Sequence, residues 1–274
     1  MSTNTVDDKR KVTTMRLTEM KARGEKIAML TAYDYSMAKL IDEAGMDVIL
    51  VGDSASNVMA GNITTLPITL DQMIYHAKSV IKGERRALVV CDMPFGTYQG
   101  QLKEALASAI RIMKESHAEA VKMEGGAEIR ESIERILCAG IPVMGHSRPH
   151  TSVNQQVRHI RSACQREAEA EKLTCRRAHA RRNRMFRPRS RKDTGSARSQ
   201  SGVGSSQSPL SASVPAVVST ARWLVMHDML GINQGFSPKF LRRYADLSTV
   251  INSAVGHYID DVKTADFPNA SEQY

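Results

Sequence analysis

Asp53, Asp92 and Glu124 are three carboxylates that each close a short apolar run, and Lys122 stands two residues before Glu124. Three hard oxygen donors, with no Cys or His in a matching position, suit Mg²⁺ better than Zn²⁺ or Cu²⁺. If 120–124 is a strand, Lys122 and Glu124 share one of its faces. One can then hold a metal or its waters while the other presents positive charge to an anionic substrate. His146 ends a further run and can hydrogen-bond a carboxylate or carbonyl, and Ser54 adds a hydroxyl and a backbone N–H beside Asp53. A metal with a lysine and a histidine suits chemistry that stabilises an enolate. Each residue also has a plainer role, since an Asp ending a strand is commonly a turn or helix cap. Lys122 can be an edge charge, and Glu124-Gly125-Gly126 a simple turn. Recurrence on successive run ends is what favours a site.

The elements that must position these residues follow from periodicity. IAMLTAYD (27–34), VILVGDS (48–54), ALVVCDMPF (87–95), AVKMEGG (120–126) and IPVMGH (141–146) are short aliphatic runs closed by Gly, Asp or Pro. They predict buried parallel strands. Between them SMAKLIDEAG, LDQMIYHAKSVIKG, KEALASAIRIMKESH and RESIERILCAG predict helices, with Gly45 and Gly83 as terminating glycines. Strand–helix alternation means βαβ units. In an open sheet, polar residues from so many strands spread along an edge. In a closed (β/α)₈ barrel they converge on one face, where active sites are built. The 274 residues suit one such barrel, which takes about 250.

Charge is unevenly spread. The net charge is +9, but residues 147–222 hold sixteen Lys/Arg against four Asp/Glu, so the remainder is mildly acidic. That segment has no apolar period and is rich in Arg, Ser, Ala and Gln. From Leu224 the earlier character returns: LVMHDMLG predicts a strand into a turn, and 240–267 has helical periodicity through Leu241, Tyr244, Leu247, Ile251, Val255, Tyr258 and Val262. No run reaches the roughly 20 apolar residues of a membrane span, and the first 14 residues carry no signal-peptide core. Four cysteines without CxxC spacing fit a reduced, cytoplasmic setting.

LTAYDYSMAKLIDEAGMDVILVGDS, TTLPITLDQMIYHAKSV, CDMPFGTY, AVKMEGG, GIPVMGH and LVMHDMLG, in that order and spacing, closely resemble the ketopantoate hydroxymethyltransferase family. The resemblance covers residues 10–146 and 224–274. It implies a (β/α)₈ TIM barrel of the phosphoenolpyruvate mutase/isocitrate lyase type, in a large homo-oligomer. It also implies transfer of a hydroxymethyl group from 5,10-methylenetetrahydrofolate to 3-methyl-2-oxobutanoate through a metal-stabilised enolate, in pantothenate and coenzyme A biosynthesis. By resemblance Asp53, Asp92 and Glu124 are the Mg²⁺ residues, and Ser54, Lys122 and His146 contact the ketoacid.

Residues 147–223 depart from the family. The glycine- and proline-containing loop expected after His146 is replaced by SRPHTSV, and no glutamate occurs from Thr174 to Trp223, so the family's general base has no counterpart. An island, REAEAEKL (166–173), keeps family register, and LVMHDMLG resumes on schedule. Correct flanks, preserved length and Arg/Ser-rich text between them point to compensating frameshifts. The chain is therefore expected to be one barrel domain over 1–274 with a flexible 1–14, a poorly ordered 147–223 and altered strands 6 and 7. Activity of this polypeptide is expected to be lost or severely reduced, because such a barrel has unpaired edges. Two other readings compete. One is a basic nucleic-acid-interacting protein, for which 174–222 offers a single stacking aromatic, Phe186. The other is a different enolate-forming barrel lyase, whose catalytic Cys motif is missing here.

Overall fold

The computed structural model describes residues 10–146, 221–235 and 237–272. Two compact units divide the chain, Met1–Arg222 and Trp223–Tyr274. The altered stretch lies outside the described residues apart from 221–223, and with it the expectations about strands 6 and 7 and about a poorly ordered segment.

In the first unit five strands form one parallel sheet: β1 (Ile27–Thr31), β2 (Val48–Val51), β3 (Leu88–Asp92), β4 (Ala120–Glu124) and β5 (Val143–His146). They lie side by side in chain order. The connecting helices are α2 (Tyr35–Glu43), α3 (Ala55–Val58), α4 (Leu70–Gly83), α5 (Leu102–Ser116) and α6 (Arg130–Cys138), preceded by α1 (Thr14–Ala22). Consecutive crossover helices pack on one another, α2 on α4, α4 on α5 and α5 on α6. An unbroken series of this kind keeps them all on one face of the sheet. A doubly wound sheet would reverse strand order and switch faces. This is the arc of a (β/α)₈-type barrel, with the sheet's other face toward the barrel interior. Strand composition agrees, since every residue of β2 and β3 is buried, as a strand covered on both faces requires.

The amino ends of the strands are stitched by buried carboxylates. Asp42 accepts from the backbone N–H groups of Arg85, Arg86 and Ala87, and Asp47 accepts from Ala28 N–H and pairs with Arg86. This polar seam closes the end of the sheet opposite the candidate site.

Of the N-terminal stretch 1–14, residues 1–9 lie outside the described residues, and residues 10–14 pack against the sheet and its loops. Val12 is fully buried and its N–H donates to Arg86 O at 2.7 Å, while Lys11 Nζ bonds Glu84 and the Ala87 carbonyl. Thr13 caps α1 through its side chain.

Gly83 ends its helix as expected and has a second role. It is the last residue of α4, and a Cβ there would stand 2.5 Å from the Tyr35 carbonyl and 3.0 Å from Lys39 N. Its smallness lets α4 close onto α2. Gly45 also ends a helix, in the left-handed region at φ +88°.

The strand β6 (Ala221–Leu224) spans the boundary between the units and leads into a short helix α7 (Met226–Met229) in the second, so half of LVMHDMLG is helical where a strand into a turn was expected. The terminal helix α8 (Leu247–Lys263) begins at the Asp246 cap rather than at Leu241. Asp246 accepts from Thr249 N–H and Oγ1, a local bond that outweighs the apolar period upstream. Among the described residues no helix is long and apolar enough to cross a membrane.

Candidate active site

Parallel strands in chain order bring their carboxyl ends together, so the chemistry-bearing residues meet through register alone. Asp92 pairs laterally with Lys122, and Glu124 with His146. Asp53 follows β2 by two residues, and its backbone N–H donates to Asp92 Oδ2 at 3.1 Å. Lys122 Nζ sits between two carboxylates, 2.7 Å from Asp92 Oδ1 and 3.0 Å from Glu124 Oε1. Its side chain is 5 % exposed and that of Asp92 6 %. Five of the six residues expected from sequence are thus placed at one end of the sheet. For His146 only the backbone is described, and its side chain lies outside the described residues.

Gly52 makes the approach possible. A Cβ there would lie 2.8 Å from Ser54 Oγ and 3.7 Å from Asp92 Oδ2. Three further residues shape the site. Tyr33, fully buried at the end of β1, hydrogen-bonds Ser54 Oγ at 2.8 Å and so orients that hydroxyl. The buried Thr65 hydroxyl reaches toward Asp53 but falls short of a well-formed hydrogen bond. Tyr98 touches the Glu124 peptide. All three lie inside distinctive sequence stretches, LTAYD, TTLPITL and CDMPFGTY. Their roles come from partners 21 to 26 residues away in the case of the tyrosines, which periodicity does not reveal.

Electrostatics show what the cluster lacks. Burial drives the Asp92 carboxyl up to about 7, with Lys122 pulling it down and the neighbouring Asp53 and Glu124 pushing it further up. Asp53 is raised chiefly by burial as well, against the pull of Lys122. For Lys122, burial favours the neutral amine, but the attraction of Asp92, Glu124 and Asp53 overcomes it and holds the ammonium above its ordinary value. Lys122 is therefore a fixed cation and not a base. Burial pushes the Cys91 thiol up, which makes it a poor nucleophile despite its place beside Asp92. Three carboxylates around one ammonium leave negative charge uncompensated, the condition a divalent cation satisfies. All their donors are oxygens, which fits Mg²⁺. Among the described residues no three His, Cys, Asp or Glu side chains already converge on one point, and Lys122 stands between Asp92 and Glu124. The donor set and its charge fit the ion.

A pH dependence follows. Asp92 has a raised folded-state pKa, so the folded protein binds the extra proton between about 4 and 7. The stability tied to that proton is present below the unfolded value and is lost as pH rises through about 7. The full effect is on the order of 4 kcal/mol. In EDTA the melting temperature is expected to be lower at pH 8 than at pH 5.5, and Mg²⁺ should raise it more at pH 8. Equal Mg²⁺ stabilisation at both pH values would contradict a site built on Asp92.

Comparison with known proteins completes the assignment. The family model for ketopantoate hydroxymethyltransferase matches residues 11–183 and 216–270. Proteins called 3-methyl-2-oxobutanoate hydroxymethyltransferase are similar over the whole chain. The one from Parabacteroides distasonis is 61 % identical, covering 100 % of both chains. That from Porphyromonas gingivalis is 58 % identical, again with 100 % of both covered, and that from Bacteroides fragilis 56 %, with 98 % of each. Among solved structures, a phosphonopyruvate hydrolase aligns over 95 % of this chain and 93 % of its own at 10 % identity and a TM-score of 0.49. The family match takes in 147–183 and 216–223, which the sequence motifs had placed outside the resemblance, and leaves only 184–215 unmatched within it. With its family model matched on both sides of that gap and relatives above half identity along its full length, the chain belongs to the ketopantoate hydroxymethyltransferase family.

Proposed function

We propose that this protein transfers a hydroxymethyl group from 5,10-methylenetetrahydrofolate to 3-methyl-2-oxobutanoate, giving 2-dehydropantoate for pantothenate synthesis. The observation that carries the reading is the buried Asp92–Lys122–Glu124 cluster beside Asp53, at the carboxyl ends of adjacent parallel strands. Neither the expected impairment nor the competing readings, a basic nucleic-acid-interacting protein and a different barrel lyase, gains support from the relatives.

Asp53 and Asp92 would hold Mg²⁺, with Glu124, engaged by Lys122, completing the set through water. The ion supplies Lewis-acid polarisation of the ketoacid carbonyl, which makes a proton on the adjacent carbon easier to remove. The chain's own residues bind and orient. The Ser54 hydroxyl, set by Tyr33, is available to donate to the ketoacid carboxylate. Lys122 pulls the Asp92 carboxyl down against its burial, holds Asp92 and Glu124 in place through its two bonds, and lends positive potential to an anionic substrate. His146, in register with Glu124 on β5, is the third proposed ketoacid contact. Walls made of buried β-strand exclude bulk water, which strengthens each charge interaction.

Incubating the purified protein with 3-methyl-2-oxobutanoate, methylenetetrahydrofolate and Mg²⁺, and following 2-dehydropantoate by mass spectrometry, tests the proposal. Product that forms with both substrates and stops with EDTA is the expected result. No product at any Mg²⁺ concentration from a folded protein would refute it.

A further inference from the structure

We propose that Tyr98 is a positioning residue for the carboxylate cluster, holding the Glu124 peptide at the height where its side chain meets Lys122. The inference rests on the role proposed above for that cluster. The register between β3 and β4 ends at Asp92 opposite Lys122, and the next bond on that side is Met93 N–H to Lys122 O at 2.9 Å. The Glu124 peptide lies beyond this point, past the reach of β3. There the Tyr98 hydroxyl donates to Glu124 O at 3.1 Å and the Glu124 N–H donates to the same hydroxyl at 3.2 Å. A phenol has one hydrogen and lone pairs to spare, so a single oxygen can make both bonds. Together they replace the ladder rung that β3 no longer supplies.

Tyr98 is itself held from two directions. The turn Pro94–Thr97, closed by Thr97 N–H to Pro94 O at 3.2 Å, carries Gly96 at φ +88°, a conformation that favours glycine. From α6 the Ser132 hydroxyl donates to the Tyr98 carbonyl at 2.9 Å, and Tyr98 is 4 % exposed. The loop that follows Asp92 therefore reaches across to fix Glu124, so the two carboxylates bracketing Lys122 are mechanically joined. A shift of Glu124 by about 1 Å would break its 3.0 Å bond to Lys122 and free Lys122 to drift toward Asp92 alone.

The test is Tyr98→Phe, which keeps the ring and its packing and deletes the hydroxyl. Mn²⁺ affinity of the whole enzyme, read by paramagnetic resonance titration, is measured beside kcat, KM and the melting temperature in EDTA. Partners that orient a metal site change metal affinity or activity by about 10–100-fold when removed. The expected result is a roughly tenfold weaker Mn²⁺ affinity and a lower kcat, with a melting temperature only a few degrees down. A variant that loses thermal stability but binds Mn²⁺ and turns over as the wild type does would overturn the inference while leaving the function intact. A wild type that neither binds Mn²⁺ nor forms product would bring down both. If Tyr98→Phe does not fold, Ser132→Ala loosens the same loop with the hydroxyl retained. A threefold loss of Mn²⁺ affinity is then expected, and none would count against the proposal.

Discussion

Replacing Asp92 by Asn is expected to lower kcat/KM by about 10³-fold or more while leaving the metal-free fold nearly as stable as before. The activity loss follows from removing a donor to a charge-stabilising ion, which is worth several kcal/mol in the transition state. Stability is a balance of two opposed effects. Asp92 is a carboxylate at 4 % exposure whose ionised form is disfavoured by burial, so making it neutral relieves that cost. Against this, the two oxygens of Asp92 accept from Lys122 Nζ and Asp53 N–H, and an amide offers only one acceptor. One unmatched buried donor costs about 1–3 kcal/mol, similar in size to the relief. The diagnostic readout is thermal unfolding with and without Mg²⁺. The variant should lose the Mg²⁺-induced rise in melting temperature, and most of the difference between pH 5.5 and pH 8 in EDTA. Wild-type Mg²⁺ stabilisation in Asp92→Asn would show that the ion sits elsewhere.

Lys122→Met has the opposite profile. It keeps a long apolar stem on a strand facing the barrel interior but removes the ammonium that bridges Asp92 and Glu124. Deleting one partner of a buried pair leaves uncompensated charge, at a cost of about 3–5 kcal/mol. That is a large part of a usual folding stability of about 5–15 kcal/mol. In EDTA at pH 8 a fall in melting temperature of roughly 10 °C is expected. Lowering the pH should recover much of it, because the carboxylates can then take up protons in place of the lost ammonium. Mg²⁺ should also recover part of it by supplying positive charge. A melting temperature within about 2 °C of wild type would mean that the Lys122 bridge contributes little. Taken together, the two substitutions separate the residue proposed to hold the ion from the residue that holds the cluster.

Much of the architecture was readable in advance because it depends on local pattern. The runs 27–34, 48–54, 87–95, 120–126 and 141–146 contain the strands β1 to β5, and the amphipathic stretches between them became α2, α4, α5 and α6, since a period near two or 3.6 is a property of neighbouring residues. Placing Asp53, Asp92 and Glu124 at one end of the sheet needed only the knowledge that parallel strands run in one direction. Elements with weak periodicity were less visible. The helix α1 is short and carries only two buried residues, Leu17 and Met20, and the start of α8 is set by a cap instead of an apolar stripe.

The sequence by itself therefore determined the strand–helix alternation, the identity of the carboxylates and the family to which they belong. Only the tertiary structure decided that Lys122 is a fixed ammonium shared by Asp92 and Glu124, that Tyr33 and Tyr98 orient Ser54 and Glu124, and that Gly83 is a helix contact. Apart from Lys122 and Glu124, two residues apart on one strand, these depend on partners 21 to 48 residues apart in the chain, as Gly83 is from Tyr35 and Glu124 from Tyr98, or on the burial that sets a charge state. Local propensity acts over a few residues, whereas a hydrogen-bond partner across a sheet is chosen by how the whole chain closes.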